Sequence, residues 1–407
     1  MRFVLLVIVI ILSLLVVPPA GAQVAAPPAI VTLKVQGIDY ARQGWTNRQP
    51  LLAGTLVTRT DVIFPQRSAS LLVMCPDGNL HEFLQSELIA NTVLNCPVNA
   101  SAYIVGDSGV KRLNVSRGGR QDPTIPYLIS PRATLVRQPQ IVLRWNAVPN
   151  VDTYTVTVRG GSDSWTSPNL PPEKVVQGDV AQFTLENPVR EKVAYTVELC
   201  VVFKDATKHC TSDPDWSFGA NLAFYYVPTP AVDAAESQLI AGLGADTPES
   251  LYARAVLLSQ PVFTPSPDMP LGVYSESISL LEHLVKDAPN SDMAASPETY
   301  NLLGELYRDV SLPLSAARAY QSAARFAKPG TEAAAIAALG QGMTSPDADA
   351  ALTLYNSALD NYAQFLDSAA FDARFTQICR LIGDQCLDLA RCQGRMADCT
   401  KWSTAGG

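Results

Sequence analysis

Hydrophobic residues alternate with polar ones in the first half of the chain and recur every three to four positions in the second half. Alternation with a period of two is typical of half-buried β-strands, and a period near 3.6 is typical of amphipathic helices. The run Tyr154–Val158 is a clear case of alternation, and turn residues separate such runs. The pattern predicts a multidomain β + α protein: a small β domain, a β-sandwich and then a stack of helices.

The chain opens with the features of an export signal. Arg2 precedes a 15-residue apolar run, Phe3–Val17, which two prolines and the small residues 20–22 follow. The run is shorter than the roughly 20 residues that a membrane-spanning helix needs. We therefore expect residues 1–22 to be a signal peptide cleaved before Gln23, and an uncleaved N-terminal anchor is the alternative. No stable membrane span is expected after cleavage, so the mature protein is predicted to be secreted or extracytoplasmic.

Residues 31–119 are predicted to form a small β domain of short strands separated by turns. Its features resemble the FecR-type β domain of exported bacterial proteins. The resemblance rests on Gly54 after an apolar pair, on the Asp61-Val-Ile strand, and on an apolar strand that ends in the turn Asp77-Gly78. In the iron-sensing members, a cytoplasmic helical part and a membrane span come first. This sequence shows neither, so their signalling role is not expected here.

A second β region, residues 127–228, follows a linker near 118–126. Trp145 ends one apolar strand, a turn containing proline follows, and Tyr154 opens the next strand. This spacing resembles fibronectin type III and immunoglobulin-like sandwiches. These folds place an aromatic residue near a strand corner, and Tyr195 fits that position. The resemblance implies a β-sandwich.

Residues 231–370 have a helical period and contain a repeated pattern. After Tyr300 the positions at offsets 3, 4, 7, 16, 20 and 23 are Leu303, Gly304, Tyr307, Ala316, Tyr320 and Ala323, and Pro329 closes the unit. This pattern resembles the tetratricopeptide repeat. A second unit starts near Ile336, and a degenerate unit precedes the first, with helices near 251–258 and 274–285. The resemblance implies a stack of helical pairs whose concave face holds a peptide or a partner helix.

The cysteines support an oxidising compartment. There are eight, an even number, in local groups of two, two and four. Cysteines in such numbers indicate disulfides in an exported chain, whereas the metal-binding alternative needs close C-x₂-C pairs, which are missing. We predict a Cys75–Cys96 bridge that staples the first sheet and a Cys200–Cys210 bridge across a hairpin.

The last four cysteines lie in residues 371–401, which are predicted to form a helical cap on the repeat stack. Cysteines seven residues apart on one helix are about 10.5 Å apart along its axis, too far for a disulfide. Two short antiparallel helices would instead allow nested Cys379–Cys399 and Cys386–Cys392 bridges.

The net charge of the chain argues against a nucleic-acid partner. The chain has 30 Lys and Arg against 38 Asp and Glu, a net charge of −8. A nucleic-acid-binding protein usually presents a basic face, so no nucleic-acid partner is expected. Hydrophobic residues make up 47% of the chain and charged ones 17%, so it can bury real cores.

Motifs for catalysis are weak. Residues 106–109, Gly-Asp-Ser-Gly, match the nucleophile motif of trypsin-like proteases, but the preceding His81 lacks that family's histidine motif. The other two histidines, His209 and His283, are far apart in the sequence, and no H-E-x-x-H pattern or phosphate-binding loop occurs. We therefore expect no enzyme activity, no cofactor and no metal site.

Binding is the remaining prediction. The sequence indicates a non-catalytic exported scaffold or adaptor that binds another protein through its C-terminal repeats, and the repeat register places Asn301, Glu305 and Arg308 in the groove. One alternative is a cell-envelope or glycan-binding surface module, whose loop residues Trp165 and Trp216 would stack on sugars. An enzyme of unrecognised type is the second alternative.

Overall fold

The computed structural model describes residues 29–83, 85–88, 94, 96, 121, 123–212, 223–265 and 270–386. Within these ranges the chain forms three sheets and nine helices, and its architecture is a mixed β + α multidomain fold. The predicted signal peptide and the Gly-Asp-Ser-Gly motif lie outside the described residues. None of the helices in these ranges is long and apolar enough to cross a membrane.

The first β unit is one antiparallel sheet. Its strands are β1 (Ala29–Ala41), β2 (Gln49–Pro50), β3 (Leu56–Thr58), β4 (Val62–Met74) and β5 (Leu80–Phe83). The strand order is β2-β1-β4-β5, and β3 pairs with the start of β1. The β1–β4 pairing shifts register twice, between Thr32 and Lys34 and between Gln36 and Ile38. Such irregularities bend long strands and increase their twist, which helps this sheet curve around its own core.

The second β unit has two sheets around one core. Its strands are β6 (Leu128–Ser130), β7 (Leu135–Val136), β8 (Val142–Asn146), β9 (Val151–Gly160), β10 (Asp163–Thr166), β11 (Val176–Gln177), β12 (Val180–Thr184), β13 (Ala194–Phe203), β14 (Lys208–Cys210) and β15 (Phe224–Tyr226), with a short helix α1 (Pro172–Val175). One sheet runs β10-β9-β13-β15-β7, with β14 paired to β13, and the other runs β11-β12-β8-β6.

Large aromatic residues fill the core of the second β unit. Trp145 on β8 and Tyr154 on β9 are fully buried, with ring centroids 5.5 Å apart. The Tyr154 hydroxyl accepts a hydrogen bond from the Val148 N–H at 3.0 Å. Tyr195 is also buried, and its hydroxyl donates to Asp163 at 2.7 Å. These partners allow the two tyrosines to be buried with their polar hydroxyl groups satisfied.

A disulfide lies in each β unit. Cys75 and Cys96 are joined with their Cα atoms 5.7 Å apart. Cys200 and Cys210 are joined directly across the β13–β14 pair. Both are pairs that the sequence predicts, and both are compatible with an oxidising extracytoplasmic compartment.

Among the described residues, eight helices follow the β units. They are α2 (Pro230–Leu243), α3 (Pro248–Ser259), α4 (Tyr274–Asp287), α5 (Pro297–Asp309), α6 (Pro313–Phe326), α7 (Glu332–Thr344), α8 (Ala348–Ala363) and α9 (Ser368–Cys386). Four of them begin with proline, because its fixed φ suits the first turn and that turn needs no N–H donor. Helix α9 includes the first part of the predicted cap. The predicted Cys379–Cys399 and Cys386–Cys392 bridges depend on side chains that lie outside the described residues.

The helices pack as stacked hairpins. Helix α5 packs on α6, α7 packs on α8, and α6 packs on α7. Tyr320 of α6 is buried at the centre, and its ring lies 2.8 Å from where a Cβ on Gly304 would stand. The ring is in the same close contact with Gly340 of α7. The two glycines therefore leave the space that Tyr320 fills, and this packing joins one hairpin to the next.

The first β unit shares a hydrophobic core with the helices. Three residues of β1 (Ala29, Val31 and Leu33) and Met74 of β4 lie in one buried cluster with residues of α2, α3 and α4. One face of the first sheet is therefore covered by helices, and this unit cannot separate from them without exposing apolar surface to water.

The second β unit is attached to the helices by hydrogen bonds. The Leu135 N–H donates to the Gly272 carbonyl at 2.9 Å, and the Arg132 guanidinium donates to the Ser311 carbonyl at 3.2 Å. The predicted linker is packed at Gln121, which is buried and accepts a 2.9 Å hydrogen bond from the N–H of Ser315. The connection between the two β units is therefore anchored on α6.

The contact between Gly304 and Tyr320 predicts that the effect of Gly304→Ala on stability depends on whether residue 320 is tyrosine. Gly304→Ala should destabilise the protein by about 1–3 kcal/mol, because the added methyl group overlaps the Tyr320 ring. In a Tyr320→Leu background the same change should be neutral or stabilising, since alanine favours a helix over glycine by about 0.5–1 kcal/mol. Chemical denaturation of the four proteins of this cycle measures both values. Equal destabilisation in the two backgrounds would show that the ring contact is not the cause.

Candidate functional site

The structure does not place the predicted groove residues on an open face. Asn301 and Arg308 are 3% and 7% exposed, and Glu305 is half-buried between them. The Asn301 side chain donates to the Ala333 carbonyl at 3.2 Å. The prediction that Asn301 and Arg308 line an accessible groove is therefore wrong. Residues seven apart share a helix face, and α5 turns this face towards α7.

A segment of the first β unit covers the N-terminal ends of the helices. Residues 42–54, here called the 42–54 segment, connect β1 to β2 and continue beyond it. Its Ala53 carbonyl accepts a 2.6 Å hydrogen bond from Ser296, the N-cap residue of α5. Its Gly54 carbonyl accepts a 2.8 Å hydrogen bond from the Tyr252 hydroxyl of α3. The segment therefore fixes itself to two neighbouring helices through main-chain carbonyls.

Gly54 allows the backbone of the 42–54 segment to lie close against helices α3 and α5. Its φ of +90° lies in the region that favours glycine, and a Cβ there would stand 3.0 Å from both Glu298 and the Tyr252 ring. A larger residue would meet both the backbone strain and these two side chains. The sequence pattern drew attention to Gly54 as part of a β domain, and the structure adds this contact with the helices.

The same segment reaches the far end of the helical unit. Gln49 accepts a 3.0 Å hydrogen bond from the Glu332 N–H at the start of α7. The Trp45 ring packs edge-on against Phe365, with centroids 5.0 Å apart. The Asp367 N–H donates to the Gly44 carbonyl at 2.7 Å. Along its length the segment thus contacts residues from α3 to the start of α9.

A charged cluster lies at the start of the segment. The guanidinium of Arg42 is 2.7 Å from the Glu332 carboxylate and 3.3 Å from the Asp61 carboxylate. Burial lowers the pKa of Arg42, but its neighbours, Glu332 first and then Tyr40, together raise the pKa by more than burial lowers it. The guanidinium therefore stays charged. Burial raises the pKa of Asp61, and the charge of Arg42 opposes that rise.

Glu298 is the second acidic residue of the helices in this cluster. Burial, followed by the charge of Glu332, raises the pKa of Glu298 to about 8, while Arg42 acts in the opposite direction. This is the direction expected when a carboxyl group is removed from water beside a second carboxylate.

A second charged cluster joins the other β unit to the helices. The Arg137 guanidinium contacts the carboxylates of Asp233, Glu236 and Glu276, and Glu236 also contacts Arg254 at 2.8 Å. An open cavity of about 300 Å³ lies beside it, lined by Glu236, Arg254, Glu276, Ser279, Leu280 and His283. Its charged side chains are paired with one another or with neighbours, so the arrangement is that of an interdomain salt-bridge network.

The other candidates for chemistry lie apart in the structure. His81 packs edge-on against Phe83, His209 against Phe203, and His283 pairs with Asp287. The described residues contain no group of three His, Cys, Asp or Glu side chains that could hold a metal ion.

The loop prediction for Trp165 is wrong, because the residue lies on β10. Its half-buried ring stacks on Tyr195 with centroids 5.6 Å apart. Trp216 lies outside the described residues.

Sequence reasoning did not find Arg42, Glu298 or Glu332. Both glutamates stand in the first turn of a helix, where acidic residues are common because they favour the helix N-terminus. Arg42 follows β1 and belongs to no motif, and 290 positions separate it from Glu332. Only the folded chain brings these residues together.

No protein-family model matches this chain, and no curated protein matches it. Its function therefore has to be inferred from its own residues and their arrangement.

Removing the charge of Arg42 should be strongly destabilising. Arg42→Met would leave Asp61, which is 2% exposed, and Glu332 without their cation, and we expect a loss of about 3–5 kcal/mol. The matched control is Lys34→Met, since Lys34 lies on β1 and likewise pairs with a helix residue, Glu249, but is exposed to solvent. This control should cost less than about 1 kcal/mol. Urea denaturation of both variants checks the difference, and equal losses would contradict the role given to Arg42.

Proposed function

We propose that this chain is a non-catalytic extracytoplasmic scaffold that binds another protein through its helical unit. In this proposal the first β unit is FecR-like, the second is a fibronectin III or immunoglobulin-like sandwich, and the helices are tetratricopeptide-like repeats. The packing of both β units against the helices supports a scaffold role, because it holds the helical unit in one orientation.

The observation that carries the proposal is the outer face of α6. Four of its exposed residues follow one helical stripe with spacings of four, three and four: Leu314, Arg318, Gln321 and Arg325. Lys328 is also exposed and lies just beyond the helix, after the extended residue Ala327. Phe326 lies beside this stripe and is 47% exposed. The stripe carries Arg318 and Arg325, and Lys328 adds a third basic residue close to its end, in a chain whose net charge is −8. Such a surface is complementary to an acidic protein segment that also carries apolar side chains.

The inner side of the helical unit is a weaker candidate. Asn301 and Arg308 are buried against α7, and the 42–54 segment covers the helix N-termini. A partner that used those surfaces would first have to displace part of the protein itself. The outer face of α6 needs no such rearrangement.

The two alternative functions gain less support. Sugar stacking would need free aromatic faces, whereas Trp165 already stacks on Tyr195 and Trp145 is buried in the core. An enzyme would need reactive groups free to meet a substrate, whereas the charged residues that line the described cavity are engaged in ion pairs.

The test compares two charge reversals of equal size on the mature full chain. Arg325→Glu with Lys328→Glu alters the α6 face and spares Arg318, which interacts with Tyr127. Lys174→Glu with Lys204→Glu changes the net charge equally on the exposed surface of the second β unit. A partner recovered from envelope and secreted fractions would be identified and then titrated with each protein.

We expect the α6 variant to lose affinity by about tenfold or more, and the control variant to bind as the parent does. The parent complex should also weaken as salt is raised, since exposed charges are screened. Recovery of no specific partner, or equal affinity of all three proteins, would contradict the proposal.

A further inference from the structure

We propose that a small oxyanion from solution binds at the junction between the second β unit and the helices, on the guanidinium of Arg132 and the N-terminus of α6. An ion with a carboxylate or phosphate group is the chemical class that these donors fit. The inference concerns the contact between the second β unit and α6, so it does not depend on the protein partner proposed above.

Arg132 is a buried guanidinium that uses only part of its hydrogen-bonding capacity. The residue is 5% exposed. Its Nη1 donates to the Leu128 carbonyl at 2.9 Å, and its Nη2 donates to the Ser311 carbonyl at 3.2 Å. Its Nε is buried and has no hydrogen-bond partner among the described residues. Because a guanidinium has five N–H donors, this side chain can still bind an acceptor.

The charge of Arg132 is also unbalanced within the described part of the chain. No carboxylate there lies within ion-pair distance of its guanidinium, whereas Arg42 and Arg137 each contact at least two carboxylates. Burial lowers the pKa of Arg132 to about 10, and Tyr127 opposes that change, so the group is still charged at neutral pH. A buried charge without a counter-charge is strongly unfavourable, and a bound anion would remove that cost.

The N-terminus of α6 lies beside this guanidinium. Ser311, whose carbonyl accepts the bond from Arg132, stands two positions before Pro313, the first residue of the helix. The first turn of α6 has no acidic residue, and the side chain of its N-cap residue, Leu312, makes no capping hydrogen bond. The partial positive charge of the helix terminus and the full charge of Arg132 therefore act at the same place, where they favour an anion.

The first turn of α6 also has a main-chain donor to offer. The N–H of Leu314 has no hydrogen-bond acceptor among the described residues, whereas the N–H of Ser315 donates to Gln121 at 2.9 Å. An anion at the helix terminus would supply the missing acceptor, as main-chain N–H groups do for anions at other helix N-termini.

The surroundings of Tyr127 show that positive charge dominates this part of the junction. Burial raises the pKa of Tyr127, and Gln121, Arg318 and Arg132 act against that rise. Asp179 acts in the same direction as burial, but it is exposed to solvent and forms no ion pair with Arg132. Two arginines therefore act on one tyrosine without a buried carboxylate of the described chain between them.

The donors and the burial together define the ligand. A planar guanidinium donates parallel N–H bonds to two oxygens of a carboxylate or a phosphate, which makes an oxyanion the matching class. Because Arg132 is 5% exposed, only a small ion can reach it. Acetate and inorganic phosphate are therefore suitable probes.

NMR can observe both proposed donors in the mature full chain. The protein carries isotope-labelled arginine and leucine, and the Nε–H signal of Arg132 and the amide signal of Leu314 are followed as acetate or phosphate is added. Ionic strength and pH are held constant. We expect both signals to shift along saturating curves with one dissociation constant, in the millimolar range.

Two variants separate the site from general salt effects. Arg132→Gln removes the charge, so the Leu314 amide should respond with an affinity weaker by about tenfold or more. The matched control is Arg159→Gln, because Arg159 also belongs to the second β unit but is 56% exposed and already pairs with Glu198. This control should titrate as the parent does.

The proposal is overturned if Arg132→Gln and the parent bind the probes with equal affinity. It is also overturned if the parent signals do not shift or shift linearly without saturation, since a linear response is that of general salt effects. If Arg132→Gln does not fold, the parent titration decides. Saturation of both signals with one dissociation constant supports the site, and different constants for the two signals refute it.

Discussion

The packing of β1 against the helices is the interaction on which the rest of the structure depends. The strand pairs with β3 and β4 along its edges. Its residues Ala29, Val31 and Leu33 belong to the helical core, whereas others such as Ile30 and Ile38 belong to the core of the first β unit. One strand therefore serves two hydrophobic cores at once. The 42–54 segment that follows it can reach the helix N-termini because β1 is already fixed there. Arg42, the residue that follows this strand, then meets acidic residues of two different units.

An arginine bridges each β unit to the helices. Arg42 contacts Asp61 and Glu332, and Arg137 contacts Glu236 and two further carboxylates. Arginine suits this role because its planar group has five N–H donors and can meet several acceptors at fixed angles. The two junctions differ in their number of cations. At Arg137 a second arginine, Arg254, shares the acidic residues, whereas at Arg42 a single cation contacts both Asp61 and Glu332.

A repeat pattern fixes how helices pack and leaves open which face binds a partner. Gly304, Tyr320 and Gly340 fit together through their sizes, and this fit can be anticipated from their spacing. Asn301 and Arg308 have the spacing of groove residues, yet both are used to hold α5 against α7. The side of the helices that a partner would be expected to use is covered by the chain itself. The exposed, basic face of α6 is left as the surface with a distinct chemical character.

The sequence by itself determined the order of β and helical regions, the pairing of Cys75 with Cys96 and of Cys200 with Cys210, and the helices near Leu251 and Tyr274. These features depend on local periodicity, turn residues and short separations along the chain. The tertiary structure decided how the units contact one another and which polar residues became buried. The physical reason is that Arg42 and Glu332 meet across 290 positions, and a local pattern holds no information about such a contact.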